Sequence, residues 1–244
     1  PLPVLDMDTM LGGLVILKKG GGQQSVTFRL KAKRDGKQYV LRSVYKDATP
    51  TMPDFLKNTV VDSLFQDQMS MDHPYGATVV AQLAEGAGVY HANPQFFYVP
   101  KQPRLGDFNS FGDQVYLFEE RPAGDRSDVD GFGNSEKVVS FRKMLDKTID
   151  DPDDVIDQES VLKARLFDML IGDWDRHDDQ WRWATFKEGD KKIYRPVPRD
   201  RDHAFLSFRG VLPWIASRPF IAPQLQSFNK KFGYIKGLNF NARH

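Results

Sequence analysis

The stretch "IGDWDRHDDQWRW" (171–183) is followed after a short interval by "PVPRDRDHAF" (196–205). Asp173, Asp175, Asp178 and Asp179 crowd the first stretch, and Asp200 and Asp202 the second. Trp174, Trp181, Trp183 and Phe205 lie among them, which argues against a fully solvated acidic loop. If the residues between the two stretches fold back as a hairpin, these carboxylates converge. Two like charges about 4 Å apart repel by roughly 4 kcal/mol at an effective dielectric near 20, so such a cluster needs compensation. Arg176, Arg199 and Arg201 supply part of it. A hard cation with oxygen ligands, such as magnesium or calcium, is the other answer. Zinc fits less well, because only His177 and His203 offer ring nitrogens here.

The flanking sequence gives these stretches a setting. Asp157 is placed to cap a helix over "QESVLKARLFDMLIG", with Glu159 in its first turn. Leu162, Leu166, Met169 and Leu170 share a face of that helix, which predicts burial along that side. The order in this half is therefore helix, acidic loop, short hairpin and acidic turn. "VVSFRKMLDK" predicts a further helix. The polar stretch "AGDRSDVDGFGNSE" (123–136) reads as a boundary or mobile loop, so the chain divides into 1–122 and 123–244.

The first half reads mainly as strands. "SVTFRL" (25–30) alternates apolar and polar positions, and "QYVLRSVY" (38–45) is rich in β-branched and aromatic residues. Asp35-Gly36 between them is a hairpin turn signal. Gly20, Gly21 and Gly22 precede the first of these strands, where a backbone can approach a ligand closely. "NTVVDSLFQDQMSM" (58–71) and "GATVVAQLAEGAG" (76–88) have helical periodicity, and "PQFFYVP" and "QVYLFEERP" add strands.

With 244 residues the chain can bury a large domain or two lobes, and its 40% hydrophobic and 27% charged content is ordinary for a globular protein. A formal net charge of +1 gives no reason to expect nucleic acid as a partner. The absence of cysteine excludes disulfides and thiolate metal sites and is compatible with an oxidising or envelope compartment. The abrupt ends, "PLPVLD" and "NFNARH", read as those of a segment from a longer protein.

Asp175 and Gln180 stand five residues apart, with Asp200 or Asp202 after the hairpin. Protein kinases space their catalytic-loop Asp, a metal-binding Asn and a second metal-binding Asp in this way. The "GDWDRHDDQW" stretch resembles the "DRHxxN" catalytic loop of atypical kinase-like families: the CotH spore-coat kinases, the HipA toxin kinases and the secretory-pathway kinases of the casein-kinase type. "PVPRDRDHAF" resembles their metal-binding "PxDxD" or "DxGxxF" segment. The longer run from "KKGGGQQS" through "YVLRSVYKD", "FEERPAGD" and "RLFDMLIGDWDRHDDQWRW" to "LQSFNKKF" and "NFNAR" also resembles a segment of large Gram-negative envelope proteins. There it lies between a calcineurin-like phosphoesterase domain and an outer-membrane β-barrel.

The resemblance implies a two-lobed α+β protein-kinase-like fold, with a β-rich N-lobe over 1–122 and a helical C-lobe over 123–244. It implies ATP as nucleotide, Mg2+ or Mn2+ as metal, and a phospho-acceptor that is a protein, glycan or small molecule. Asp175 would be the catalytic base. Asp200 would be the metal aspartate, because 200–205 repeats the "DxGxxF" spacing, with Asp202 as a second ligand and Gln180 in the place of the usual Asn. Gly20, Gly21, Gly22 and Gln23 would cover phosphates through backbone N–H groups. Arg42 stands where the family has a strand lysine, with Lys46 as the alternative phosphate contact, and Arg is not a neutral replacement for Lys. Glu119, in "FEER", would line an adenine pocket, and Asp67 or Glu85 would supply the helix acid that pairs with the strand cation. The implied setting is the periplasm or cell surface, beside neighbouring domains of a longer envelope protein. Two other readings stay open: a degenerate nucleotide- or ligand-binding module, and a metal-dependent phosphoester hydrolase using the same acids.

Overall fold

The structure, a computed structural model, describes residues 1–21, 25–45, 75–173, 176–201, 204–207 and 227–229. The architecture is mixed α+β, and the chain divides into two compact units. The first holds the described residues of 1–45 and 93–121; the second holds those of 75–92 and from 122 onward. The chain passes from the first unit to the second after Arg121. Residues 75–92, however, belong to the second unit rather than to the first 122 residues. The reason is packing: helix α1 (Gly76–Ala87) buries Val80 and Ala84 in the same core as Ala164 and Phe167. Among the described residues, no helix is long and apolar enough to cross a membrane.

The first unit is a five-stranded antiparallel sheet in the order β1-β2-β3-β5-β4, formed by β1 (Leu14–Gly20), β2 (Thr27–Ala32), β3 (Gln38–Ser43), β4 (Gln95–Val99) and β5 (Gln114–Glu120). Alternation sets β2 facing one way: Phe28, Leu30 and Ala32 are buried while Arg29 and Lys31 are exposed. The central strand β3 buries three consecutive residues, Tyr39, Val40 and Leu41. Asp35-Gly36 makes the expected turn, with Gly36 at φ 73° and the Lys37 amide donating to Asp35 Oδ1 at 2.9 Å. Edge strand β1 carries an irregularity between Ile16 and Lys18, a usual defence of an open sheet edge. Tyr39 stacks on Phe118 with ring centroids 5.1 Å apart, and Phe28 packs against Phe108, Phe111 and Tyr116.

The second unit has a four-stranded sheet in the order β6-β8-β9-β7, from β6 (Val138–Ser140), β7 (Asp154–Ile156), β8 (Trp181–Glu188) and β9 (Lys191–Pro198). Helices α2 (Phe141–Asp150) and α3 (Gln158–Ile171) complete it with α1. "VVSFRKMLDK" is thus a short strand followed by a helix, and the change falls at Ser140, whose hydroxyl caps α2 by accepting from the Lys143 amide at 3.3 Å. Asp157 caps α3 as expected, accepting from the Ser160 amide at 3.0 Å. The stretch 123–136 is not a loose linker: Arg126, Val129, Phe132 and Ser135 are buried, and the Arg126 amide donates to the Ser135 carbonyl at 2.9 Å.

The face that α3 buries differs from the leucine face. Ala164, Phe167, Asp168 and Ile171 point inward, whereas Leu162, Leu166 and Leu170 are 60%, 56% and 62% exposed. Leucine periodicity marks a real stripe, rotated away from the one that packs. The inward stripe carries a charged residue, Asp168, and that charge builds the site.

Candidate functional site

The helix delivers the chain into the acidic loop through Gly172, which is left-handed at φ 73° and ends α3. Arg176 then turns back under the helix end, fully buried. Its Nε donates to Asp168 Oδ2 at 2.8 Å, and its Nη2 donates to Asp168 Oδ1 at 3.1 Å and to Asp173 Oδ2 at 2.6 Å. Its Nη1 donates to two backbone carbonyls, that of Arg199 at 2.6 Å and that of Gln180 at 3.3 Å. One guanidinium therefore ties the acidic loop to α3 and to the end of the hairpin. The guanidinium carbon sits 5.3 Å from the Trp181 ring centroid, so the tryptophan also walls it in.

Asp168 receives two more guanidinium donors. Arg165 Nη1 donates to its Oδ2 at 2.9 Å, and Arg201 Nε to its Oδ1 at 3.3 Å. Burial opposes the charge of Asp168, but Arg176 and Arg201 outweigh it and hold the carboxyl below its ordinary range. Burial likewise disfavours the Arg176 cation, yet Asp168 and Asp173 raise its pKa further. For Arg201 burial prevails, and its pKa falls to about 10. Its guanidinium lies 4.8 Å from the Phe167 ring centroid, and its Nη1 and Nη2 are buried without a hydrogen-bond partner among the described residues.

The hairpin between the two acidic stretches forms as expected. Strands β8 and β9 pair from Trp181 opposite Pro198 to Glu188 opposite Lys191. Trp181 and Trp183 are both buried, with ring centroids 6.0 Å apart. The Arg199 amide donates to the Gln180 carbonyl at 3.0 Å, which brings the two expected metal positions, Gln180 and Asp200, onto adjoining backbone. Gln180 is buried at the end of a 3-10 turn (Asp178–Gln180). Asp200 has φ 63°, a left-handed conformation that Asp tolerates better than most residues, and its charge adds to the stabilisation of Arg176. Phe205, at φ 60°, donates its amide to the Ile171 carbonyl at 2.8 Å and so returns the chain to the end of α3.

Of the expected site residues, Gln180 and Asp200 are therefore neighbours in the second unit. Asp173 serves as a partner of Arg176. Asp178 is half-buried and Asp179 exposed. Asp175 and Asp202 lie outside the described residues. Among the described residues, no group of three carboxylate or imidazole side chains stands where it could hold a metal. An oxygen-coordinated cation still suits the chemistry of Gln180 and Asp200, an amide and a carboxylate carried on adjoining backbone.

In the first unit, Gly20 ends β1 and Gly21 follows at φ 123°. A side chain on Gly21 would run into the Ser25 carbonyl, so the tight return between β1 and β2 requires glycine there. Arg42 lies on β3, opposite Thr27 of β2 and Leu117 of β5. Glu119 lies near the end of β5, opposite Val40. Both are half-buried. Gly22, Gln23, Lys46 and Asp67 lie outside the described residues, and Glu85 is exposed on α1.

Sequence reasoning did not single out Asp168. The available signal was an acid between Phe167 and Met169, inside an otherwise apolar turn of a helix. The chain matches no protein-family model and no curated protein.

Proposed function

We propose that the chain is an atypical kinase-like phosphotransferase domain that uses ATP with Mg2+ or Mn2+. In this reading the first unit is the N-lobe and the second the C-lobe of a two-lobed kinase-like fold. Asp175 is the base that accepts the acceptor's hydroxyl proton. Gln180 and Asp200, with Asp202, hold metal. Gly20, Gly21, Gly22 and Gln23 cover the phosphates, Arg42 or Lys46 contacts them, and Glu119 borders the adenine. The acceptor is a protein, glycan or small molecule, and the setting is a longer envelope protein in the periplasm or at the cell surface. Catalysis would come mainly from positioning and from neutralising charge on the transferred group.

The observation that carries this reading is the continuous succession of helix α3, acidic loop, β8–β9 hairpin and Asp200 turn, with Arg176 bonding the loop to both the helix and the turn. Kinases require that succession of catalytic loop and metal acid. Further support comes from the glycine-bounded return between β1 and β2 and from a cationic residue, Arg42, on the central strand β3. Gln180 in place of Asn, and Arg42 in place of Lys, favour a second reading: a module that binds nucleotide without transferring phosphate.

The test is an ATP- and Mn2+-dependent melting shift followed by a label-transfer assay with γ-labelled ATP on proteins, glycans and the chain itself. A shift with transfer supports the first reading. A shift without transfer under any metal leaves the binding module. Phosphate release from small phosphoesters without nucleotide would favour a hydrolase.

A further inference from the structure

We propose that Asp168 is a positioning residue for the metal site: it fixes Gln180 and Asp200 relative to one another through Arg176 and Arg201. What those two residues do rests on the phosphotransferase reading above; how they are held rests on the geometry of the second unit alone.

Three segments send a guanidinium to this one buried carboxylate. Arg165 comes from the same helix, Arg176 from the acidic loop and Arg201 from the turn after the hairpin. Arg176 transmits the anchorage, because its remaining donors go to the backbone of Gln180, Arg199 and the side chain of Asp173. Arg201 has Asp168 as its hydrogen-bond acceptor and leaves Nη1 and Nη2 without one among the described residues. Without the Asp168 charge, Arg176 would keep Asp173 but Arg201 would be a buried cation beside it without its acceptor, and the cheapest relief is movement of the two loops that carry them.

The experiment compares Asp168→Asn with Asp154→Asn in the whole chain. Asp154 is a control of the same kind in the same unit: it is buried and accepts from Lys192 at 2.6 Å and from Tyr194 at 3.0 Å, but it serves β7 and β9. Amide hydrogen exchange is read at Arg199, bonded to the Gln180 carbonyl at 3.0 Å, and at Phe205, bonded to the Ile171 carbonyl at 2.8 Å. The reference is the Asp157 amide, bonded to the Tyr194 carbonyl at 3.0 Å. Asp168→Asn should reduce protection at Arg199 and Phe205 at least tenfold and spare Asp157; Asp154→Asn should do the reverse. The Mn2+ concentration that gives half of the ATP-dependent melting shift should rise at least tenfold in Asp168→Asn and stay fixed in Asp154→Asn.

If Asp168→Asn does not fold, the combined variant Asp168→Leu, Arg176→Met and Arg201→Met carries the same measurements, since buried ionic clusters are often replaced by apolar residues without loss of stability. Unchanged protection at Arg199 and Phe205 would overturn the proposal. So would lost protection with an unmoved Mn2+ midpoint, which would reduce Asp168 to a structural tether. A wild-type chain that shows no shift with ATP and Mn2+ overturns the phosphotransferase reading instead, and exchange alone then decides whether Asp168 positions the two loops.

Discussion

Arg176 and Asp168 meet in a two-pronged ion pair in which both side chains are 0% exposed, with Nε 2.8 Å from Oδ2 and Nη2 3.1 Å from Oδ1. A pair this dry contributes little net stability while intact, because desolvation offsets much of the attraction. Breaking it is a different matter. Arg176→Met takes from Asp168 its two-pronged partner, leaving it Arg165 and Arg201, and removes the donor to Asp173 and to the Arg199 carbonyl, so it should cost about 3–5 kcal/mol. Urea unfolding followed by tryptophan fluorescence measures this, and a loss below about 1 kcal/mol would mean that the loop rearranges at little cost.

Acid should attack the same carboxylate. Asp168 is held below its ordinary value of 3.8 by Arg176 and Arg201 against the effect of burial, and Asp154 by Lys192 and Tyr194, also against burial. A carboxyl depressed in the native state binds fewer protons folded than unfolded. It therefore contributes stability above its unfolded pKa and loses it as pH falls through the native one. Urea midpoints should drop steeply below about pH 4 in the wild type and less steeply in Asp168→Asn. Parallel pH profiles would contradict the assignment.

Two adjacent glycines should respond differently to alanine. Gly21 combines φ 123° with the Ser25 carbonyl where a Cβ would go, so Gly21→Ala should cost about 1–3 kcal/mol. Gly20 is extended, and the nearest atom to an added Cβ is the Thr27 carbonyl at 3.9 Å, so Gly20→Ala should stay within about 0.5 kcal/mol. Chemical denaturation followed by circular dichroism separates the two.

The proposed roles make separable predictions. Asp200→Ala should weaken Mn2+ binding by calorimetry. Arg42→Ala should lower nucleotide affinity about tenfold or more, the scale of a charge-assisted contact of roughly 1.5–3 kcal/mol; if Lys46→Ala carries that loss instead, the strand cation is misassigned. Asp175→Asn should preserve nucleotide binding and reduce transfer by about 10²–10⁴. A parallel fall in melting temperature and nucleotide affinity would make Asp175 a structural residue.

Helix α3 explains both what the sequence disclosed and what it hid. Its cap, Asp157, and the hairpin after it were legible because each follows from a local rule about backbone donors and chain reversal. Its inward face was not, because leucine counting gives the polar residue at 168 no weight, and the approach of Arg176 and Arg201, added to the local donor Arg165, makes an aspartate tolerable there. The two readings predict opposite mutational patterns. Phe167→Ala should cost about 3–5 kcal/mol. Leu166→Gln should change stability by less than about 0.5 kcal/mol, as measured by urea unfolding. The joining of 75–92 to the second unit was equally out of reach, since it depends on which core receives Val80 and Ala84.

The hairpin has a consequence for how this chain can vary in length. Its root is fixed by the bonds from Arg176 to Arg199 and from Arg199 to Gln180, and its far strand is pinned at mid-length by Arg195, which donates to Asp157 Oδ2 at 2.9 Å. Beyond that point the strands run out to Gly189 and Asp190, where Gly189 is left-handed at φ 64° with open space around its Cα. Residues added at this tip would lengthen the ribbon without displacing Gln180 or Asp200. The tip is thus the natural site for sequence drift and for grafting a fluorophore or affinity peptide, whereas a single residue inserted between Gln180 and Trp181 would slip β8 by one position and turn Trp181 and Trp183 to the opposite face.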